Sequence, residues 1–143
     1  MDRNKKILIV DDRKDNLRMY SLVIKSQFPD VEITTTTESV KTFEIVENNR
    51  PDLILLDAMM PNMDGFEVCT RLKSDPATAN ILVLMISAVL VDSRDRITGL
   101  NVGADGYICK PFEKQELLAQ IKAFFRIRDS ELALDDARRQ AES

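Results

Sequence analysis

Five short apolar runs, each closed by a polar or charged residue and each followed by a stretch at helical spacing, dominate what this sequence can fold into. Ile7–Val10 ends at Asp11-Asp12, Leu53–Leu56 ends at Asp57, Ile81–Ile86 ends at Ser87, and Tyr107–Cys109 ends at Lys110-Pro111. Val31–Thr35 is a more polar run, rich in β-branched residues. Between the runs the apolar positions recur every three or four residues. They are Leu17, Tyr20 and Ile24 up to Phe28-Pro29; Val40, Phe43 and Val46 up to Asn48–Pro51; and Phe66, Cys69 and Leu72 before Pro76. Ile97 and Leu100 precede a capping Gly103, and Leu117, Leu118, Ile121 and Phe124 form the last stripe. This pattern predicts five strands and five helices in strict alternation. Continuous apolar strands are what a parallel sheet with helices on both faces requires. The fold class is therefore α/β, a doubly wound five-stranded parallel sheet with five flanking helices, and 143 residues suit one such domain.

Composition removes several kinds of chemistry. There is no histidine, so Ser-His-Asp and Cys-His catalysis, imidazole-bound zinc and a histidine phosphodonor within the chain are all excluded. A net charge of −4 with no basic run argues against nucleic acid as a partner. The longest apolar run, Ile81–Ile86, is too short to span a membrane, and Ile7–Val10 after Lys5-Lys6 is too short for a signal peptide. Cys69 and Cys109 are read as two small buried hydrophobes in a reducing compartment, and the protein as cytoplasmic.

In an open α/β sheet, ligands bind outside the carboxyl ends of the strands. The strand ends here carry Asp11, Asp12, Asp57, Ser87 and Lys110. Any one of them has an ordinary explanation as a solvated loop residue or a cap, but the fold draws them into one cleft. Two carboxylates ~5 Å apart repel by roughly 3 kcal/mol at an effective dielectric near 20. A hard divalent cation relieves that repulsion, and an all-oxygen donor set suits Mg2+, with Mn2+ able to substitute. A hydroxyl and a lysine facing a metal-bound carboxylate make a receptacle for a phosphoryl group. The carboxylate itself can be the nucleophile, forming an acyl phosphate, and its attack needs no general base.

The motifs ILIVDD (Ile7–Asp12), LILLDAMMPNMDGFE (Leu53–Glu67), Ser87-Ala88, Gly103–Tyr107 and Lys110-Pro111-Phe112 resemble those of the receiver domain of two-component response regulators. They run in that family's order and spacing across residues 6 to about 126. The resemblance implies the flavodoxin-like, CheY-like strand order 2-1-3-4-5. It implies Asp57 as phosphoacceptor, supplied by a sensor histidine kinase or a histidine phosphotransfer protein. Asp12, Asp57 and the backbone carbonyl of Met59 are implied as Mg2+ ligands, with Asp11 holding a metal-bound water. Lys110 and Ser87 would contact phosphoryl oxygens, helped by the backbone N–H groups of Met59 and Ala88, and Tyr107 would be the aromatic switch residue. A cis bond is implied at Lys110–Pro111. Met59 and Val89 match the positions that flank the path of hydrolytic water, and being apolar they imply slow loss of the phosphoryl group.

The segment from Asp75-Pro76 through Leu100 also resembles receivers fused to diguanylate cyclases or sensor kinases, and the sequence leaves open whether the chain is whole or a fragment of such a protein. Residues 1–126 are assigned to the receiver and 127–143 to a helical extension leading toward an output module or effector. That tail carries eight charges in 17 residues, with Leu132, Leu134, Ala137 and Ala141 interspersed. It is either a solvated helix end or a coil that pairs two copies into a homodimer. Two functional classes compete. One is a signalling switch that is not an enzyme acting on external substrates. The other is a metal-dependent aspartyl phosphatase or phosphotransferase. The second class needs a further acid and a cap over its substrate, and the short loops leave no room for a cap.

Overall fold

A computed structural model of the chain describes residues 4–88 and 102–142. The strands are β1 (Lys6–Val10), β2 (Glu32–Thr36), β3 (Leu53–Asp57), β4 (Leu82–Ser87) and β5 (Gly106–Cys109). All neighbours are parallel, in the order β2-β1-β3-β4-β5. Among the described residues there are four α-helices: α1 (Lys14–Gln27), α2 (Thr42–Asn48), α3 (Gly65–Ser74) and α4 (Lys114–Glu142). The further helix expected around Ile97 and Leu100 lies outside the described residues, as does Val89.

The period-two alternation of side chains divides the sheet into two packed faces. Ile7, Ile9, Leu53, Leu55, Leu84 and Ile86 meet Leu17, Tyr20 and Ile24 of α1 and Leu117, Ile121 and Phe124 of α4. Leu8, Val10, Ile54, Leu56, Val83 and Met85 meet Val46 of α2 and Val68, Cys69 and Leu72 of α3. β1, β3 and β4 are buried along almost their whole length, which is why they read as unbroken apolar runs. Each such large aliphatic side chain contributes about 1.5–3 kcal/mol on burial.

Two expectations need correction. The second helical stripe is broken. A 3-10 turn, Ser39–Lys41, precedes α2, and Val40 is exposed. Val40 therefore lies off the helix whose apolar face Val46 anchors. Cys69 is fully buried, and burial pushes its thiol up to about 11, but Cys109 is only half-buried. The last helix extends well beyond its apolar stripe, and its continuation is bound to the body. Arg128 Nε donates to Asp52 Oδ1 at 3.0 Å, and Asp52 Oδ2 accepts from the Lys6 N–H at 2.8 Å. Lys5 Nζ also pairs with Asp129 at 2.6 Å. Asp52 is buried at the amino end of β3, and this guanidinium pairs with its carboxylate there.

Candidate functional site

The site is built where β1, β3, β4 and β5 end. β1 stops because the chain leaves its apolar run at Asp11-Asp12, and β3 stops at Asp57. The backbone after β3 is held in place by two bonds, Ala58 N–H to Ile86 O at 2.9 Å and Gly65 N–H to Ala58 O at 3.0 Å. Asp64 caps α3 by accepting from the Glu67 N–H at 2.9 Å. Gly65 is required by close approach. A Cβ there would lie 2.2 Å from the Asp57 carbonyl oxygen, so any side chain would push the loop after β3 away. On the far side, the Lys110 N–H donates to Ser87 O at 2.8 Å and ties the end of β5 to the end of β4. The Lys110–Pro111 bond is cis.

Carboxylate oxygens of Asp11, Asp12 and Asp57 lie within 4.8 Å of one another. Asp11 and Asp57 are buried, and Asp12 is exposed. Asp11 accepts from the Arg13 N–H at 2.9 Å and from the Asn16 amide at 3.1 and 3.3 Å. Lys110 Nζ stands 3.9 Å from Asp11 Oδ2. Asp57 Oδ1 accepts from the Met59 N–H at 3.2 Å. Burial is the largest influence on both buried acids and raises their pKa. The Met59 N–H and Lys110 pull Asp57 back only in part, and Asp11 and Asp12 push it further, to about 6.

A cation held between these carboxylates would relieve their mutual repulsion. Three hard oxygen donors, with no histidine or cysteine among them, suit Mg2+. Mg–O bonds of about 2.0–2.1 Å put adjacent ligands about 3 Å apart, so the three groups need only close up slightly to share an ion. The donor set thus fits the metal.

Ser87 is buried at the end of β4, and Ala88 is exposed beside it. Met59 is exposed, with its side chain directed away from the core. Tyr107 is half-buried and packs with Val102 and Ala104 against the α2–α3 face of the sheet. Two residues went unnoticed in the sequence as parts of this region. Asn16 fixes the Asp11 carboxylate, and the Tyr20 ring lies 6.0 Å from Lys110 Nζ. Their spacing of four on one helix face was the available signal, but Tyr20 counted only as a member of the apolar stripe.

A parallel 2-1-3-4-5 sheet with an acidic pocket and a lysine at its carboxyl edge defines a class of phosphoacceptor domain. The family model for the response regulator receiver domain matches residues 7–122. The chain belongs to that family. It is 37% identical over 139 residues to the response regulator PleD of Caulobacter vibrioides, covering 96% of this chain and 29% of PleD. It is 40% identical over 124 residues to the DNA-binding dual master transcriptional regulator RpaA of Synechocystis, covering 87% of this chain and 50% of RpaA. Among solved structures, a CheY-like receiver domain protein from Methanospirillum hungatei superimposes with a TM-score of 0.80 at 26% identity, covering 90% of this chain and 99% of that one. The chain therefore spans half or less of these two curated relatives.

Proposed function

We propose that the chain is a phosphorylation switch whose acceptor is Asp57, and that the phosphoryl group comes from a phosphohistidine on a sensor kinase or phosphotransfer protein. The observation that carries this reading is the convergence of Asp11, Asp12 and Asp57 with Lys110 in one cleft. Asp57, with a pKa of about 6, is mostly ionised at neutral pH and is the nucleophile. One of its oxygens forms the new O–P bond as the N–P bond breaks. The electron pair stays on the leaving imidazole nitrogen, and the ring departs neutral with its proton on the other nitrogen. Asp11, Asp12, Asp57 and the Met59 carbonyl would hold Mg2+, which when bound offsets the charge of the carboxylates and the phosphoryl oxygens. Lys110 leaves Asp11 to pair with a phosphoryl oxygen. The Ser87 hydroxyl donates to another, and the Met59 and Ala88 N–H groups donate alongside. The pull on Ser87 vacates space into which the Tyr107 ring repacks, altering the partner surface.

Met59 offers no polar side chain to orient water in line with the O–P bond. The phosphoryl group is expected to persist, and Met59→Asn to shorten its lifetime severalfold with phosphorylation preserved. Following phosphoprotein decay in excess Mg2+ for both forms checks this. Unchanged or slower decay in the variant would remove Met59 from control of hydrolysis.

The receiver is assigned to residues 1–126 and the extension to 127–143, with the Arg128 and Asp129 ion pairs fastening the first turn of the extension to the body. The extension leads toward an output module and pairs two copies. Ile127 and Leu134, seven residues apart on α4, are 46% and 66% exposed, as a coil seam would be in an isolated chain. Replacing both by lysine is expected to convert a sedimenting dimer to monomer with phosphorylation intact. A wild-type chain that is monomeric at high concentration would leave the extension as a solvated helix end. No helix among the described residues is long and apolar enough to cross a membrane. A cytoplasmic location is part of the proposal and follows from the kinase partner it names.

A further inference from the structure

Two stripes run along α4. Leu117, Ile121 and Phe124 pack into the body, and Arg128 continues their line to reach Asp52. A second stripe, roughly a third of a turn away, is formed by Ala123, Ile127, Ser130, Leu134, Ala137 and Ala141. All six are exposed. Their spacing alternates strictly between four and three residues, which is the a and d pattern of a coiled-coil seam, with Ile127, Leu134 and Ala141 at a and Ala123, Ser130 and Ala137 at d. Residues 127–143 carry eight charges, and none falls on this stripe. An uncharged seam in so charged a segment is a surface kept clear for another helix.

The flanks of the seam say how that helix lies. Arg126 occupies a g position and Glu131 an e position. Arg126 is exposed and, among the described residues, has no ion pair. The Glu131 side chain is 39% exposed, and its neighbour Arg128, already donating to Asp52, stands 3.7 Å away, beyond hydrogen-bond reach. In a parallel pair each g residue faces the e residue five positions further along the other helix. Arg126 then meets Glu131 of the second copy, and the contact occurs twice by symmetry. In an antiparallel pair e faces e, which sets Glu131 against its own copy, like charge against like. We infer that α4 is a self-recognition surface that takes a second copy of this chain in parallel and in register, with Ile127 and Leu134 meeting their counterparts and Arg126 paired with Glu131 of the second copy on both flanks. The seam lies away from the stripe that meets the body, so the two receivers stand clear of each other. The arrangement brings the two Glu142 ends together. It rests on the reading that the extension pairs two copies.

The test is a charge exchange that leaves Arg128 and Asp129 in place. Arg126→Glu and Glu131→Arg each replace two attractions by two repulsions, and each is expected to weaken self-association about tenfold in sedimentation. An equimolar mixture of the two variants restores both attractions across the seam and is expected to form a heterodimer. The chain with both substitutions is expected to dimerise as the wild type does, which guards against a folding defect. Ser130→Cys, at a d position, is expected to cross-link to its counterpart on mild oxidation, while Asp136→Cys, on the outer face, is not. Single variants that associate as tightly as the wild type, a mixture that gains nothing, or a Ser130→Cys chain that does not cross-link overturns the parallel register and leaves the pairing of copies in place. A wild-type chain that stays monomeric at high concentration strikes the pairing itself, and the register with it.

Discussion

Arg128→Ala is expected to lower the thermal midpoint by roughly 10 °C, although the residue lies at the opposite end of the sheet from Asp57. Asp52 is 2% exposed at the amino end of β3, and the Arg128 guanidinium pairs with it at 3.0 Å. Removing Arg128 takes the cation from a buried carboxylate that keeps its Lys6 N–H bond, at a cost of about 3 kcal/mol. For a chain of this size each kcal/mol moves the midpoint by roughly 3 °C. Asp52→Leu with Arg128→Met removes both charges and is expected to be much milder. Calorimetry of the two variants decides the matter, and a shift of only a degree or two in Arg128→Ala would show the pair to be a solvated contact. Deleting the chain after Arg126 removes the same guanidinium, so truncation there destabilises the receiver itself. A clean test of the extension must keep Arg128 and Asp129.

Asp57→Asn is expected to do two things together: abolish phosphorylation and stabilise the metal-free chain at neutral pH. The folded pKa of Asp57, about 6, stands above its ordinary value of 3.8, mainly through burial. The fold therefore favours the protonated form. The stability this group contributes is fully present below about pH 3.8 and is lost as the pH rises through about 6. At pH 7 the ionised carboxylate burdens the fold by about 3 kcal/mol, and asparagine removes the burden. The advantage of the variant should shrink steadily between pH 7 and pH 4, and should also shrink at pH 7 when Mg2+ is added. Denaturant titrations in a chelator across that range measure it. A constant difference at all pH values would mean that Asp57 is not under the strain its surroundings imply.

Much of the fold was legible because β1, β3 and β4 are buried on both faces, and only unbroken apolar runs satisfy that environment. Strand limits moved by a residue where hydrogen bonding rather than hydropathy sets the end, as at Thr36, whose carbonyl accepts from the Asp11 N–H. Val40 misled because its spacing matched a helix that starts only at Thr42. The strand-end residues were legible through the rule that a parallel sheet presents its carboxyl edge to ligands. Four others were not. Asn16 and Tyr20 act through the face of α1 that meets the β5–α4 connection, which depends on how the helix is rotated on the sheet. Arg128 and Asp52 are separated by 76 residues, and their pairing depends on where α4 passes the bottom of the sheet. Asp52 in isolation reads as a loop acid before a strand.

The central claim is that Asp57 takes a phosphoryl group from phosphohistidine with the help of its acidic neighbours and a divalent ion. The direct measurement is to incubate the chain with a phosphorylated histidine phosphotransfer protein, with Mg2+ and with chelator, and to map the modified residue by mass spectrometry after borohydride reduction. One hydroxylamine-labile phosphoryl group on Asp57, formed in Mg2+ and nearly absent with chelator, is the predicted result. Modification of a different residue in the wild-type chain, or equal labelling of Asp57 with and without the metal, would contradict it.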